Sequence, residues 1–145
     1  MMQRSLFIVH VIHHLVIGGM ENGAVNLINR LPRERFRHLI VCIEDYSDFA
    51  QRIERDDVKV IALHRSRAGA WSLGWRLWRL LRRLKPDIVH SRNLSGLDAL
   101  LPARLAGVKT VHSEHGFDVD NLRGKATKPT LLRPQHAALV VRFGA

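Results

Sequence analysis

The sequence predicts an α/β fold in which a parallel, doubly wound sheet is covered by helices on both faces. Short apolar runs alternate along the chain with segments of helical periodicity, and the links between them are short. The first apolar run, 6–12, shows little alternation of apolar and polar residues, which is typical of a strand buried on both faces. Alternating strands and helices favour right-handed crossovers between parallel strands.

The first strand leads through a glycine corner into an amphipathic helix. After Gly18 and Gly19, apolar residues recur at helical spacing until Pro32 closes the pattern. The residues that define this helix are Met20, Ala24, Leu27, Ile28 and Leu31. Glycine lets a ligand approach the backbone, and the first N–H groups of a helix attract anions.

The glycine corner alone does not identify its ligand. Its spacing is GGxxxG, which differs from the GxGxxG of dinucleotide-binding loops and from the P-loop pattern. A tight turn without a ligand is therefore the alternative interpretation. Glu21 suits the positive end of the helix but would repel a phosphate there, so we expect it to cap the helix rather than contact an anion.

The remaining elements continue the alternation. Strands are predicted over residues 38–44, 58–63, 87–90 and 109–112, and helices over 48–55, 72–84 and 97–106, the last followed by Gly107. In such a sheet, ligands bind beyond the carboxyl ends of the strands. Three loops are therefore predicted to converge on one rim, and they are Gly18 with Gly19, Ser91 to Asn93, and Glu114 to Gly116.

Composition limits the class of protein. A chain of 145 residues with 46% hydrophobic residues can form one domain with a substantial core. The single cysteine, Cys42, lies in an apolar strand pattern, which predicts a reducing compartment and a buried, inert thiol. No segment approaches the ~18 uninterrupted apolar residues of a membrane span, so the sequence predicts a soluble or peripheral protein.

The net charge of +10 is concentrated in one segment, because 65–85 holds seven basic residues and no acidic one. Within it, leucines at helical spacing define a stripe that faces the core, whereas Trp71, Trp75 and Trp78 fall on the opposite side beside Arg79 and Arg82. Tryptophan with arginine suits an anionic membrane interface, and it would also suit a polysaccharide or a partner protein.

The alternative interpretation of this helix gives it no ligand or partner: Trp71 precedes the helix and turns inward, and the arginines are only solvated. Nucleic acid is a weaker candidate partner, because no recognised binding motif is present and Tyr46 is the only tyrosine available for base stacking. We therefore predict no nucleic-acid partner.

The nine histidines do not predict a metal site. His112 and His115 flank Glu114 at a spacing that matches neither HExxH nor a cysteine-containing zinc set. Strand histidines such as His10 and His90 are expected to be satisfied core residues. Three carboxylates lie in or after the last of these loops, and they are Glu114, Asp118 and Asp120. They would suit general acid–base catalysis, but the preferred interpretation is that they are solvated loop residues without a catalytic role.

Three motifs in order carry a family resemblance: GGME at 18–21, KPDIVHSRN at 85–93 and VHSEHG at 111–116. Together, over about residues 5–125, they resemble the N-terminal half of a GT-B glycosyltransferase of family 4, closest to the sugar transferases of exopolysaccharide and exosortase (PEP-CTERM) systems. The resemblance implies a Rossmann-like domain of an enzyme that transfers a sugar, with retention, from a nucleotide diphosphate donor to a lipid-linked or saccharide acceptor.

The resemblance also implies roles for individual residues. Gly18 and Gly19 match the loop that approaches the donor diphosphate, and His115 matches the catalytic histidine near the transferred sugar. The matches to acceptor or sugar contacts are Ser91, Asn93, Glu114 and Gly116. No metal or separate cofactor is implied, since the nucleotide sugar is a substrate, and the location implied is cytoplasmic, peripheral at the inner face of the membrane.

The domain expectation follows from where the resemblance stops. Residues 1–125 are predicted to form the acceptor-side domain, and 126–145 an atypical tail, either disordered or carrying a last helix or strand around 137–143. We expect the donor-binding domain to be absent, as in a truncated or frameshifted fragment, and transferase activity to be negligible. The alternative function is a non-catalytic Rossmann-like module that binds a nucleotide, a phosphate or an anionic membrane surface.

Overall fold

One sheet of six strands forms the centre of the molecule in the computed structural model, which describes residues 4–113 and 141–143. The strands are β1 Leu6–Ile12, β2 Phe36–Cys42, β3 Lys59–Ala62, β4 Ile88–Arg92, β5 Lys109–Ser113 and β6 Val141–Phe143. Their order is β3-β2-β1-β4-β5-β6, and β1 to β5 run parallel. The predicted parallel, Rossmann-like α/β fold is confirmed.

The sixth strand departs from that pattern, because β6 pairs antiparallel with the edge strand β5. A strand was one of the alternatives expected near the end of the chain. An antiparallel edge strand is a common addition to an otherwise parallel sheet.

Within residues 4–113, four α-helices and two 3₁₀ helices connect the strands. The α-helices are α1 Gly19–Arg30, α2 Arg65–Ala68, α3 Ala70–Leu84 and α4 Leu100–Leu105, and the 3₁₀ helices are Asp48–Arg52 and Leu94–Ala99. None of the helices within the described residues is long and apolar enough to cross a membrane.

Two predicted helices differ from expectation in type or length. The segment predicted over 48–55 contains only the 3₁₀ helix, because the Ser47 side chain caps it and Ile53 is already extended. The helix predicted over 97–106 begins as a 3₁₀ turn and becomes α-helical only at Leu100. Pro102 explains that boundary, since a residue without an N–H is tolerated in the first turn of an α-helix but not later.

The sheet is covered on both faces, as the unbroken apolar runs predict. On one face, Val9, Val11 and Val89 pack against the buried stripe of α3, which consists of Leu73, Leu77 and Leu81. On the other face, Ile12, Ile40, Cys42 and Phe49 pack against Val25 and Ile28 of α1. Cys42 is buried as predicted, and burial raises the pKa of its thiol to about 12, which favours the predicted low reactivity.

A row of three histidines crosses the α1 face of the sheet, on the adjacent strands β2, β1 and β4. His10 lies between the other two, with ring-centroid distances of 5.2 Å to His38 and 5.5 Å to His90. The Nε2 atom of His10 and the Nδ1 atom of His38 are 3.0 Å apart and share a hydrogen bond. Burial, followed by the positive charge of Arg55, lowers the pKa of His38 to about 4. The prediction that strand histidines are satisfied core residues is confirmed for His10 only in its burial. This side chain is 1% exposed, but its Nδ1 atom has no hydrogen-bond partner among the described residues.

Arg55 joins the end of α1 to the starts of two strands. Its side chain is 6% exposed, and its guanidinium forms a salt bridge of 2.6 Å with Asp57. It also donates to the carbonyl oxygens of Leu31, at 3.1 Å, and of Phe36, at 2.9 Å. This buried cation therefore satisfies carbonyl groups at the carboxyl end of α1, where the helix dipole favours positive charge.

Candidate functional site

The strand order reverses between β1 and β4, and the candidate site lies at the carboxyl ends of these strands. β2 and β3 lie on one side of β1, whereas β4 and β5 lie on the other. The loops after β1 and β4 therefore leave in opposite directions and open a crevice, which is where ligands bind in sheets of this type. Gly18 and Gly19 follow β1, and Asn93 follows β4.

The glycine corner forms the amino-terminal end of α1. Gly18 is the N-cap residue, with extended torsion angles of φ −165° and ψ 162°, which any residue can adopt. A Cβ atom at Gly18 would meet the Glu21 carboxylate, whereas a Cβ atom at Gly19 would meet nothing within 4 Å. Packing therefore gives no reason for a glycine at position 19.

Glu21 turns back over Gly18 without capping the helix. No side-chain hydrogen bond caps α1, although the Glu21 carboxylate lies against the Gly18 backbone. The expected capping hydrogen bond is therefore not formed, and Glu21 contributes only its negative charge in the first turn, which stabilises the positive end of the helix dipole. An anion at this helix end would have to approach beside Glu21 or displace its side chain.

Side-chain hydrogen bonds join the end of β4 to β5 at the same rim, and Ser91, which was expected in the loop after this strand, lies within β4. Ser91 is fully buried, and its Oγ atom lies 2.7 Å from the Nδ1 atom of His112 on β5. The Nε2 atom of His90 lies 2.9 Å from the Oγ atom of Ser113. The side chain of Ser91 therefore links two strands, and its predicted contact with acceptor or sugar stays a prediction.

Asn93 is the half-buried residue of this loop and has a left-handed backbone, with φ 56°. Its N–H donates to the carbonyl of Ser113, and its own carbonyl accepts from the N–H of Gly96, both at 2.9 Å. Non-glycine residues in this conformation concentrate at functional sites, and asparagine tolerates it best. The remaining predicted site residues, Glu114, His115 and Gly116, lie outside the described residues, directly after Ser113.

Sequence reasoning missed a charged cluster at the same rim, after β1, β2 and β3. The Nη1 atom of Arg65 forms a salt bridge of 2.6 Å with the Oδ2 atom of Asp98. Glu44 accepts a hydrogen bond of 3.1 Å from the N–H of Ser66, and this bond lowers the pKa of Glu44. Partial burial, and then His14, lower the pKa of His13. His13, Glu44 and Arg65 each lie at the end of an apolar run, which is the signal that identified the other loops, whereas Asp98 lies in the 3₁₀ helix after β4.

Two of the three tryptophans of α3, Trp71 and Trp75, are exposed as predicted, whereas Trp78 is half-buried. Trp71 is 95% exposed and Trp75 is 59% exposed, so the alternative in which Trp71 turns inward is wrong. The rings of Trp75 and Trp78 are 4.8 Å apart, and the guanidinium of Arg82 lies 5.7 Å from the Trp78 ring centroid. Arg79 and Arg82 are exposed beside them. In residues 4–113 no three His, Cys, Asp or Glu side chains are grouped to hold a metal ion.

Comparison with known proteins places this geometry in a family. The family model Glycosyltransferase Family 4 matches residues 17–142. A crystal structure of UDP-N-acetylglucosamine 2-epimerase shares the fold, with a TM-score of 0.52 and 16% sequence identity over 88% of this chain. The chain spans 37% of the length of that structure. None of the curated proteins matches the sequence. Because the family model covers most of its length, the chain belongs to Glycosyltransferase Family 4.

Proposed function

We propose that this chain forms the acceptor-side domain of a retaining GT-B glycosyltransferase. The enzyme would transfer a sugar from a nucleotide diphosphate donor to a lipid-linked or saccharide acceptor, in exopolysaccharide synthesis. The observation that carries the proposal is the position of Gly19. This glycine starts α1 at the reversal point of the sheet, and packing gives no reason for its lack of a side chain. Close approach of a ligand would supply that reason.

The donor diphosphate is assigned to the amino-terminal end of α1. The N–H groups of the first turn have no partners within the helix, and the helix dipole favours negative charge there. Because the Glu21 carboxylate lies over Gly18, the phosphate would approach on the side of Gly19. Gly18 would then leave room for Glu21, and Gly19 would leave room for the donor.

The acceptor and the transferred sugar are assigned to the other loops of the rim. Asn93 carries an amide at the end of β4, and His115 follows β5 by two residues. An imidazole near the reacting sugar would donate a hydrogen bond to charge that develops in the transition state. Glu114, Gly116 and Ser91 would complete the loops that contact sugar or acceptor.

Matched glycine variants test the donor assignment. Gly19→Ala and Gly23→Ala both add a methyl group to α1 where nothing lies within 4 Å, so both should fold. Binding of a labelled nucleotide sugar is measured on mixtures of this chain with a separately produced GT-B donor domain. Gly19→Ala should weaken binding of the nucleotide sugar about tenfold or more, and Gly23→Ala should not. Equal binding by both variants would show that the donor does not bind at the glycine corner.

The same experiment separates the alternative function. If the 145-residue chain is one side of a two-domain cleft, donor binding and transfer should require the added domain, because one domain alone does not exclude water or enclose the nucleotide. Tight nucleotide binding by this chain alone would instead favour the non-catalytic Rossmann-like module.

A membrane location is proposed on the basis of the exposed face of α3. Trp71, Trp75 and Trp78 would lie at headgroup depth, and Arg79 with Arg82 would face anionic lipid, placing the protein at the cytoplasmic side of the inner membrane. Flotation with vesicles that contain anionic lipid tests this. The double variant Arg79→Gln, Arg82→Gln should lose binding, and the control Arg30→Gln, Arg35→Gln, with the same charge change elsewhere, should retain it.

A further inference from the structure

An apolar groove of about 630 Å³ lies between α3 and α4, and the proposed sugar transfer does not account for it. Its sides are formed by the three tryptophans of α3 and by Leu101 and Leu105 of α4. Leu101 is 66% exposed and Leu105 is 65% exposed, in addition to the exposed Trp71 and Trp75. The volume is that of a pocket for a ligand of drug size.

The groove is continuous with the rim that holds the candidate site. Asp98 lines the groove, and the same carboxylate forms the salt bridge with Arg65 at the carboxyl ends of the strands. β3 ends at this rim, and α2 and then α3 follow it directly along the chain. The helix α3 therefore starts at the rim, and Trp71 lies in its first turn. A molecule bound at the rim can therefore extend into the groove without leaving the protein surface.

The chemistry of the groove favours hydrocarbon over saccharide. Among its lining residues only Asp98 is charged, and that carboxylate is already paired with Arg65. A sugar placed in the groove would lose hydrogen bonds to water without gaining enough partners. An alkyl chain has no such cost and would cover exposed indole and leucine side chains.

The charge at the upper end of the groove suits an anionic linker. α2 directly precedes α3 and carries the exposed Arg67. Arg65 is already paired with Asp98, and the Glu44 carboxylate accepts from the N–H of Ser66, so Arg67 is the cation that α2 offers to an anionic linker. A lipid-linked sugar consists of a hydrocarbon chain, one or two phosphates and a polar sugar. These three parts correspond in order to the groove, Arg67 of α2 and the polar rim.

We infer that the groove between α3 and α4 binds the hydrocarbon chain of a lipid-linked acceptor, so that the acceptor phosphate lies near α2 and its sugar at the rim. This rests on the proposed glycosyl transfer and narrows its acceptor to the lipid-linked class. The occupant is a single lipid chain between α3 and α4. The tryptophans that line the groove are shared with the membrane-facing surface proposed above, whereas Arg79 and Arg82 of that surface do not line the groove.

The chain offers a direct optical test, because its only three tryptophans all line the groove. Dodecyl phosphate, kept below its critical micelle concentration, is titrated into the protein while tryptophan emission is followed. We expect a saturable blue shift with 1:1 stoichiometry. Inorganic phosphate should give no shift, and butyl phosphate should bind at least about tenfold more weakly because it buries less apolar surface.

Two variants and a control locate the binding. Gly74→Leu fills the groove at a helical position where an added Cβ meets nothing within 4 Å, so it should fold and abolish the shift. Leu101→Gln should weaken binding about tenfold through lost apolar contact. Leu27→Gln changes a leucine that is 42% exposed on α1, on the other face of the sheet, and should have no effect.

Several outcomes would overturn the inference. Binding to anionic vesicles without binding of the monomeric alkyl phosphate would assign the groove to the membrane surface. Loss of self-association in Gly74→Leu, measured by sedimentation, with unchanged alkyl phosphate affinity, would assign it to a second copy of this chain. Equal affinity of Gly74→Leu and the unmodified protein would place the ligand elsewhere.

The failure of this inference is distinguishable from failure of the proposed function. If sugar transfer in the presence of the donor domain does not depend on acceptor chain length, and Gly74→Leu leaves it unchanged, the groove assignment is wrong while the transferase stands. If dodecyl phosphate binds as described but no sugar is transferred to any acceptor, the transferase proposal is wrong while the groove is still a lipid site.

Discussion

Acidification should destabilise this fold through the histidine row before its carboxylates titrate. In the unfolded chain, His38 binds a proton near its ordinary pKa of 6.5, but in the folded protein its pKa is about 4. The folded state therefore binds fewer protons, so the free energy of unfolding is largest above pH 6.5 and falls as the pH drops toward 4. Burial, Arg92 and the neighbouring histidines lower the pKa of His10 in the same direction.

The size of the effect follows from the pKa difference of His38. Each pK unit corresponds to about 1.4 kcal/mol, so lowering the pH from 7.5 to 5 should cost about 2 kcal/mol from His38 alone. That is a large fraction of the roughly 5–15 kcal/mol that stabilise a domain. Most carboxylates remain ionised at pH 5, so the histidines dominate this window.

The assay is urea unfolding, followed by circular dichroism, at several pH values between 7.5 and 5. His38→Asn keeps a polar atom near the Nδ1 position that bonds His10, but it does not titrate. At pH 7.5 this variant should be less stable than the unmodified protein because of lost packing. Between pH 7.5 and pH 5, its free energy of unfolding should fall by about 2 kcal/mol less than that of the unmodified protein. His64→Asn, at a half-buried left-handed position outside the row, serves as the control. Equal pH dependence of the unmodified protein and His38→Asn would refute the reasoning.

Four further results are expected. Arg55→Met should lower the free energy of unfolding by about 3 kcal/mol, because the substitution leaves buried carbonyls and Asp57 without their partner. The control is Arg33→Met, which removes an exposed ion pair with Asp56. In the same urea titration, this control should change the free energy of unfolding by less than about 0.5 kcal/mol. Gly96→Ala should cost about 1–3 kcal/mol, since its Cβ would lie 3.2 Å from the Cβ of Ser91 and 3.3 Å from the carbonyl oxygen of Val11. Gly23→Ala should instead stabilise the protein by about 0.5–1 kcal/mol, and thermal unfolding of the two glycine variants compares them. Cys42 should resist a thiol reagent at pH 8 until urea unfolds the chain; rapid labelling of the native protein would contradict its burial.

The sequence predicted the sheet well because burial on both faces leaves a local pattern. Strands β1, β2 and β3 appear as apolar runs and the leucine stripe of α3 appears as helical periodicity, whereas β4 and β5 are shorter and more polar. The boundaries near Ser47 and Pro102 were missed because a capping side chain and one missing N–H decide them, and these act at single atoms. Periodicity averages over several residues and does not detect such contacts.

The candidate site was predictable where it follows strands and not where it depends on tertiary contacts. The loops at Gly18 and Asn93 follow apolar runs, so the parallel topology brings them to one rim. The salt bridge of Arg65 with Asp98 joins residues 33 positions apart, and the groove needs Leu101 of α4 opposite the tryptophans of α3. The sequence shows the exposed tryptophan face but not the helix that turns this face into a groove.

The position of β1 has a consequence for the newly synthesised chain. β1 is almost entirely apolar and pairs with β2 on one side and with β4 on the other. Its partner on the second side comes much later, as the bond from the Phe7 N–H to the Asp87 carboxylate, 80 residues apart, illustrates. Until β4 leaves the ribosome, the emerging protein exposes an unpaired apolar edge, and such edges promote aggregation. Expression at low temperature or with chaperones should therefore raise the soluble yield.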